Sequence, residues 1–308
     1  MRQTALDSVY ALAKRDPRVV FIGSDLGSGT LDAMRAEFPD RFFMEGVSEA
    51  AVIGMAAGLA MDGFIPYVNT IATFITRRAY EQVAIDACLH NLPVRLLGSG
   101  AGLVYAPLGP THLAIEDVAL MAALPNMTVT APADAPEMRR LIDASLDWPG
   151  PLYVRFGKGG DPVVSRADDG FTIGRAVSLM PGDDVLIVSS GIMTHRALEA
   201  ATLLRADGIA AGVLHVHTLK PFDAAGLVDR LADARLVVTV EEHVRHGGLA
   251  AAVGNVLLEA DRRPAFLACS LPDAFPHGFG SQDHLLGLAG LGPAQLAQRI
   301  RERFPAFV

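Results

Sequence analysis

Residues 64–98 read FIPYVNTIATFITRRAYEQVAIDACLHNLPVRLLG. FIPYVN (64–69) and PVRLLG (93–98) are short, continuously apolar runs. They are predicted as strands buried on both faces. TRRAYEQVAIDACLHN (76–91) lies between them and is predicted as a helix. Strand, crossover helix and strand in this order imply a parallel sheet.

The same alternation runs outward in both directions. VVFIG (19–23), MTVTAP (127–132) and PLYVRF (151–156) read as further strands, and SEAAVIGMAAGLAMDG (48–63) and EDVALMAALPN (116–126) as helices. GKGGDPVVSRADDGFTIG (157–174) is polar and glycine-rich and breaks the pattern. It restarts with DVLIVSSG (184–191), AAGVLHVHTLKPFD (210–223), RLVVTVEEH (235–243) and PAFLACSL (264–271). The expected architecture is α/β with two doubly wound domains, residues 1–162 and 175–308, joined by a linker at 163–174.

Composition narrows the function. The chain has 308 residues, 51% of them apolar but only 6% aromatic, and a formal net charge of −8. Charges of both signs are mixed along the chain, which argues against a nucleic-acid face. No apolar segment approaches the roughly 18–20 residues of a membrane span. The N-terminal MRQTALDSVYALAKRDPRV lacks the apolar block of a signal peptide. Cys88 and Cys269 are far apart and form no metal or redox motif, so a reducing, cytoplasmic setting is expected.

A few residues carry chemistry. Glu49 is the single charge at the head of GVSEAAVIGMAAGLA (46–60). An acid in a first helical turn has an ordinary explanation in the helix dipole. The glycines and alanines around it, Gly54 and Gly58 especially, instead predict a buried helix that another backbone approaches closely. A buried carboxylate needs a partner, and a ring nitrogen of a ligand would serve. Phe74 follows a parallel strand, where such folds place ligands, and a ring there can stack on a flat heterocycle. It would otherwise be a core aromatic. His112, in PLGPTHLAIED (107–117), sits on a loop and is a candidate proton-handling group. GSDLGSG (23–29) and GSGAG (98–102) match no phosphate fingerprint. His215 and His217 share one face of a strand with no third ligand at a usable spacing, which favours a structural role. Ser190 and Ser281 show no nucleophile pattern.

Taken in order, Glu49 in its Gly/Ala helix, TIATFITRRAYEQV, GPTHLAIED, LPNMTVTAPAD, LKPFD and EEHVRHGGLA resemble the C-terminal half of a transketolase over nearly the whole chain. The resemblance implies a pyrimidine-binding domain followed by a transketolase C-terminal domain, with thiamine diphosphate and magnesium as cofactors. It implies that Glu49 hydrogen-bonds the aminopyrimidine and activates the cofactor through its imino tautomer. Phe74 then stacks on the ring, and His112 touches the substrate and passes protons to and from its hydroxyls. Ile71 falls among the cofactor contacts, at a position where the family commonly has an aromatic. Arg2, Ser28 and Arg155 fall where the family binds the anionic group of the sugar. The implied reaction moves a two-carbon ketol unit from a ketose to an aldose.

The sequence departs from that pattern in two ways. Leu108 replaces an acid that reads sugar hydroxyls, Gly100 a phosphate-binding histidine, and Ser48 and Ala50 an arginine and a histidine beside Glu49. These changes point to a non-standard donor. The GDG…Asn motif that holds magnesium and diphosphate is also missing, so a partner subunit carrying it is expected, in an α2β2 assembly. The 2-oxo acid dehydrogenase beta subunits, a synthase joining pyruvate to an aldehyde and a non-catalytic scaffold are the alternatives. None would bind nucleic acid or membrane.

Overall fold

The computed structural model describes residues 1–24, 31–231 and 234–304. Its strands are β1 (Val19–Gly23), β2 (Phe42–Met44), β3 (Ile65–Ile71), β4 (Arg95–Ser99), β5 (Thr128–Thr130), β6 (Leu152–Phe156), β7 (Val177–Met180), β8 (Val185–Ser189), β9 (Ala211–His215), β10 (Thr218–Lys220), β11 (Leu236–Val244) and β12 (Ala265–Leu271). Among the described residues they form two sheets, in the orders β10-β5-β6-β4-β3-β1-β2 and β12-β11-β8-β9-β7. Pairing is parallel except at the β10 and β7 edges. Both halves are the α/β layers that the apolar runs predict.

Each face of the first sheet is covered by helices. Helices Arg2–Arg15 and Ala135–Ser145 bury Leu6, Val9 and Leu141 with the strand residues Phe21, Tyr67, Leu97 and Val154. On the other face, helix Glu49–Met61 and helix Asp117–Ala123 bury Val52, Ile53 and Val118 with Val20, Val68 and Leu96. That second core continues without a break into Val188, Leu214, Val237 and Leu249 of the C-terminal half. The two halves therefore share apolar packing.

Three local features depart from the sequence reading. The run 210–223 is two strands rather than one: β9 stays in the second sheet, while β10 crosses to pair antiparallel with β5 of the first. The helix expected at 76–91 is a π-helical turn Phe74–Arg78, a short α-turn Tyr80–Gln82 and a π-helical stretch Val83–Leu89. Wide turns of this kind are rare and occur frequently at functional sites. Finally, among the described residues no backbone outside their own helix approaches Gly54 or Gly58. An added Cβ at Gly54 would meet only the Asp86 carboxylate at 3.7 Å, and one at Gly58 would meet nothing within 4 Å. No helix among the described residues is long and apolar enough to cross a membrane.

Candidate active site

The site lies at the carboxyl ends of β1, β3 and β4, where loops leave a parallel sheet and ligands enter such folds. Glu49 opens the helix Glu49–Met61 and is 2% exposed. Its Oε2 accepts from Arg78 Nη1 at 2.7 Å, and Ser24 Oγ donates to its Oε1 at 3.2 Å. The carboxylate is thus buried with one ion-pair partner, in keeping with the cost of leaving such a charge alone.

Phe74 and Arg78 sit at the two ends of one π-helical turn, directly after β3. The Arg78 guanidinium lies 4.3 Å from the centre of the Phe74 ring. The His112 ring meets Phe74 edge-on with centroids 5.3 Å apart, and its Nδ1 is 2.9 Å from Thr111 Oγ1. Glu49, Phe74 and His112, far apart in sequence, therefore stand in one chain of contacts linked by Arg78. Ile71 ends β3, three residues before Phe74, and is half-buried.

The loop carrying His112 is held from two sides. Arg77 donates to the Leu113 carbonyl and pairs with Glu116. From the C-terminal half, Glu242 Oε1 accepts from Leu103 N at 3.0 Å, and Val244 N donates to the Ile115 carbonyl at 2.9 Å. Leu103, Tyr105, Leu113 and Ile115 pack into the core of the second sheet. Sequence reasoning assigned nothing to Arg77 or Arg78. Their signal is a pair of adjacent cations three and four residues after Phe74.

The proposed anion contacts fare differently. Arg2 begins the helix Arg2–Arg15, half-buried. Ser28 lies outside the described residues. Arg155 is 7% exposed, with Nε 2.9 Å from Asp117 Oδ2 and Nη2 donating to the Glu242 carbonyl at 2.7 Å and the Ala114 carbonyl at 3.3 Å. Its Nε and Nη2 join the two halves.

Gly100 has a structural cause. Its φ is +71°, and an added Cβ would fall 2.0 Å from the Tyr105 ring. Tyr105 fills the space a histidine would need. Leu108 ends a short turn, Ala106–Leu108, and is exposed. His215 proves structural: it bridges Glu137 Oε2 at 2.9 Å and Thr194 Oγ1 at 2.8 Å.

These residues suit the ring half of thiamine diphosphate: a buried carboxylate whose partner is a half-exposed side chain, with an aromatic face beside it. Comparison with known proteins agrees. Residues 1–160 match the transketolase pyrimidine-binding domain, and residues 174–296 match the transketolase C-terminal domain. The chain is 40% identical over 299 residues to a transketolase family protein of Sinorhizobium fredii, covering 96% of this chain and 86% of that protein. It is 37% identical over 302 residues to a 1-deoxy-D-xylulose-5-phosphate synthase of a Synechococcus strain, covering 96% of this chain but 46% of the synthase. The chain thus spans about half the length of the synthases it matches. A solved split-gene transketolase, described as an inactive β4 tetramer, superposes with a TM-score of 0.91 at 37% identity, covering 100% of this chain and 99% of that one. The chain belongs to the transketolase family, whose members are thiamine-diphosphate-dependent transferases.

Proposed function

We propose that this chain is the C-terminal subunit of a split transketolase, moving a two-carbon ketol unit from an anionic ketose to an aldose. The observation that carries the reading is the contact chain Glu49–Arg78–Phe74–His112 at the carboxyl edge of the first sheet. Thiamine diphosphate, when bound, supplies an electron sink at the former carbonyl carbon. Glu49 holds its ring nitrogen and keeps a proton there. Phe74 fixes the plane of the ring, a contact worth about 1 kcal/mol beyond burial. His112, within reach of solvent, exchanges protons with substrate hydroxyls. Arg2, Ser28 and Arg155 remain the proposed contacts to the anionic end of the sugar, and Ile71 lines the cofactor.

A partner subunit carrying GDG…Asn supplies the magnesium and diphosphate half, because those oxygen ligands do not occur in this sequence as that motif. The α2β2 arrangement is supported by an uncovered face. Gly58, Met61, Ile85 and Leu89, on the helical segments next to Glu49, are exposed together. We place the assembly in the cytoplasm, in keeping with the free, buried Cys88 and Cys269. A second reading, a synthase joining pyruvate to an aldehyde, is favoured by the likeness to the Synechococcus enzyme.

Affinity capture of the chain from its own cells, with magnesium and thiamine diphosphate present, tests the proposal. A co-purifying subunit with GDG…Asn is expected, and ketose turnover by the pair separates the first reading from pyruvate consumption. A lipoyl acyltransferase in its place would move the chain to the 2-oxo acid dehydrogenases. In the active pair, Glu49→Gln is expected to lower kcat by about 100-fold or more. Unchanged activity would support the scaffold alternative.

A further inference from the structure

Arg78 stands where the two proposed cofactor contacts converge. Its Nη1 is 2.7 Å from Glu49 Oε2, and its Cζ is 4.3 Å from the centre of the Phe74 ring. One flat cation thus engages both the carboxylate and the aromatic ring that the proposed function reserves for the aminopyrimidine. A guanidinium is planar, donates N–H bonds in its plane and stacks on aromatic faces. An aminopyrimidine has the same three properties.

The two partners differ in freedom. Glu49 is 2% exposed at its side chain and is fixed at a helix start, whereas 46% of the Arg78 side chain is exposed. The guanidinium can withdraw into water without disturbing the core, but the carboxylate cannot follow it. Arg77, its neighbour, is held differently, by the Leu113 carbonyl and Glu116, and serves as a strut for the His112 loop.

We propose that Arg78 is a placeholder. It fills the ring site of the cofactor-free chain and is exchanged for the aminopyrimidine when the holoenzyme assembles. The inference rests on the reading of Glu49 and Phe74 as cofactor contacts. Its physical logic has two sides. Before the ring binds, the guanidinium pairs a carboxylate that would otherwise be buried alone. It also weakens ring binding, because the site is competent only for the fraction of time that Arg78 is withdrawn.

The test uses a probe that needs nothing from a partner: 4-amino-5-hydroxymethyl-2-methylpyrimidine, the ring half of the cofactor without its diphosphate. Its binding to the full chain is titrated by ligand-observed NMR for the wild type, Arg78→Met, Arg78→Gln and Glu49→Gln. Arg78→Met is expected to bind the probe about tenfold more tightly than the wild type, with Arg78→Gln in between. Adding Glu49→Gln to Arg78→Met should remove the gain. Circular dichroism checks that each variant is folded, and if Arg78→Met is not, Arg78→Gln carries the comparison. Binding equal to or weaker than wild type in the arginine variants overturns the placeholder. If Glu49→Gln then still abolishes wild-type binding, the ring site stands and Arg78 is one of its permanent contacts. If no variant binds the probe, the placeholder and the assignment of Glu49 and Phe74 fall together.

Discussion

Two arginines show how differently one side-chain type is used. Arg155 is spent on Asp117, whose Oδ2 also accepts from Tyr153 Oη at 2.7 Å, and on two carbonyls. Burial pulls its affinity for a proton down, yet the surrounding charges of Asp117 and Glu242 raise it on balance. Arg155→Met would leave Asp117 as an uncompensated buried charge, so it is expected to cost about 3–5 kcal/mol of stability by urea denaturation. A change under 1 kcal/mol would show that the pair is not a structural tie. Arg78, by contrast, is half in water and belongs to the site. The sequence distinguishes neither case. It displays a guanidinium but not the residues, 38 positions away for Asp117 and 29 for Glu49, that decide its use. Glu49, Phe74 and His112 were legible because each is out of place locally: a charge in an apolar helix, an aromatic after a parallel strand, a histidine among turn residues.

At the scale of elements, burial on both faces wrote the central strands into the sequence as continuous apolar runs. The short edge strands β2 and β7 left no such run, and neither was foreseen. The break between β9 and β10 was hidden because only two residues, Val216 and His217, separate them and neither marks a turn. At this junction the helix Ala135–Ser145 meets β9 through Glu137 and His215. Burial would raise the Glu137 pKa, but the charge and hydrogen bond of His215 and the Ala133 N–H outweigh it and hold it at about 2. His217 next to it is lowered to about 4, chiefly by burial. The signs follow from linkage. A depressed histidine makes the unfolded chain bind more protons below its normal value near 6.5. The His217 contribution is therefore expected to fall as pH drops from about 6.5 to 4, and it is read as the difference in stability between the wild type and His217→Leu in pH-resolved denaturation. The Glu137 contribution is present above its unfolded value near 4.5 and is lost as pH falls through about 2. Glu241, raised to about 7 by burial, has the opposite sign in this window, so the reading is the wild-type-minus-variant difference: one that does not shrink toward acid between about 6.5 and 4 would contradict the His217 assignment.

For the whole molecule, two domains read from a glycine-rich interruption turn out to be joined by more than a connecting chain. They share one apolar core, the Arg155 contacts, the Glu137–His215 bond and a strand. Calorimetry of the chain alone is accordingly expected to give one unfolding transition. Two resolved transitions would mean that the halves unfold independently and that the shared contacts contribute little. Such long-range ties are the part of the fold that local sequence patterns express least, because each half looks complete by itself.

The crossing of β10 also bears on how the protein is made. The first sheet is assembled mostly from residues before 157, but one of its two edge strands is Thr218–Lys220. A first sheet formed before that strand is made would leave the β5 edge bare. A bare edge invites pairing with other chains. β10 thus shields an edge that the N-terminal half alone would present to other chains.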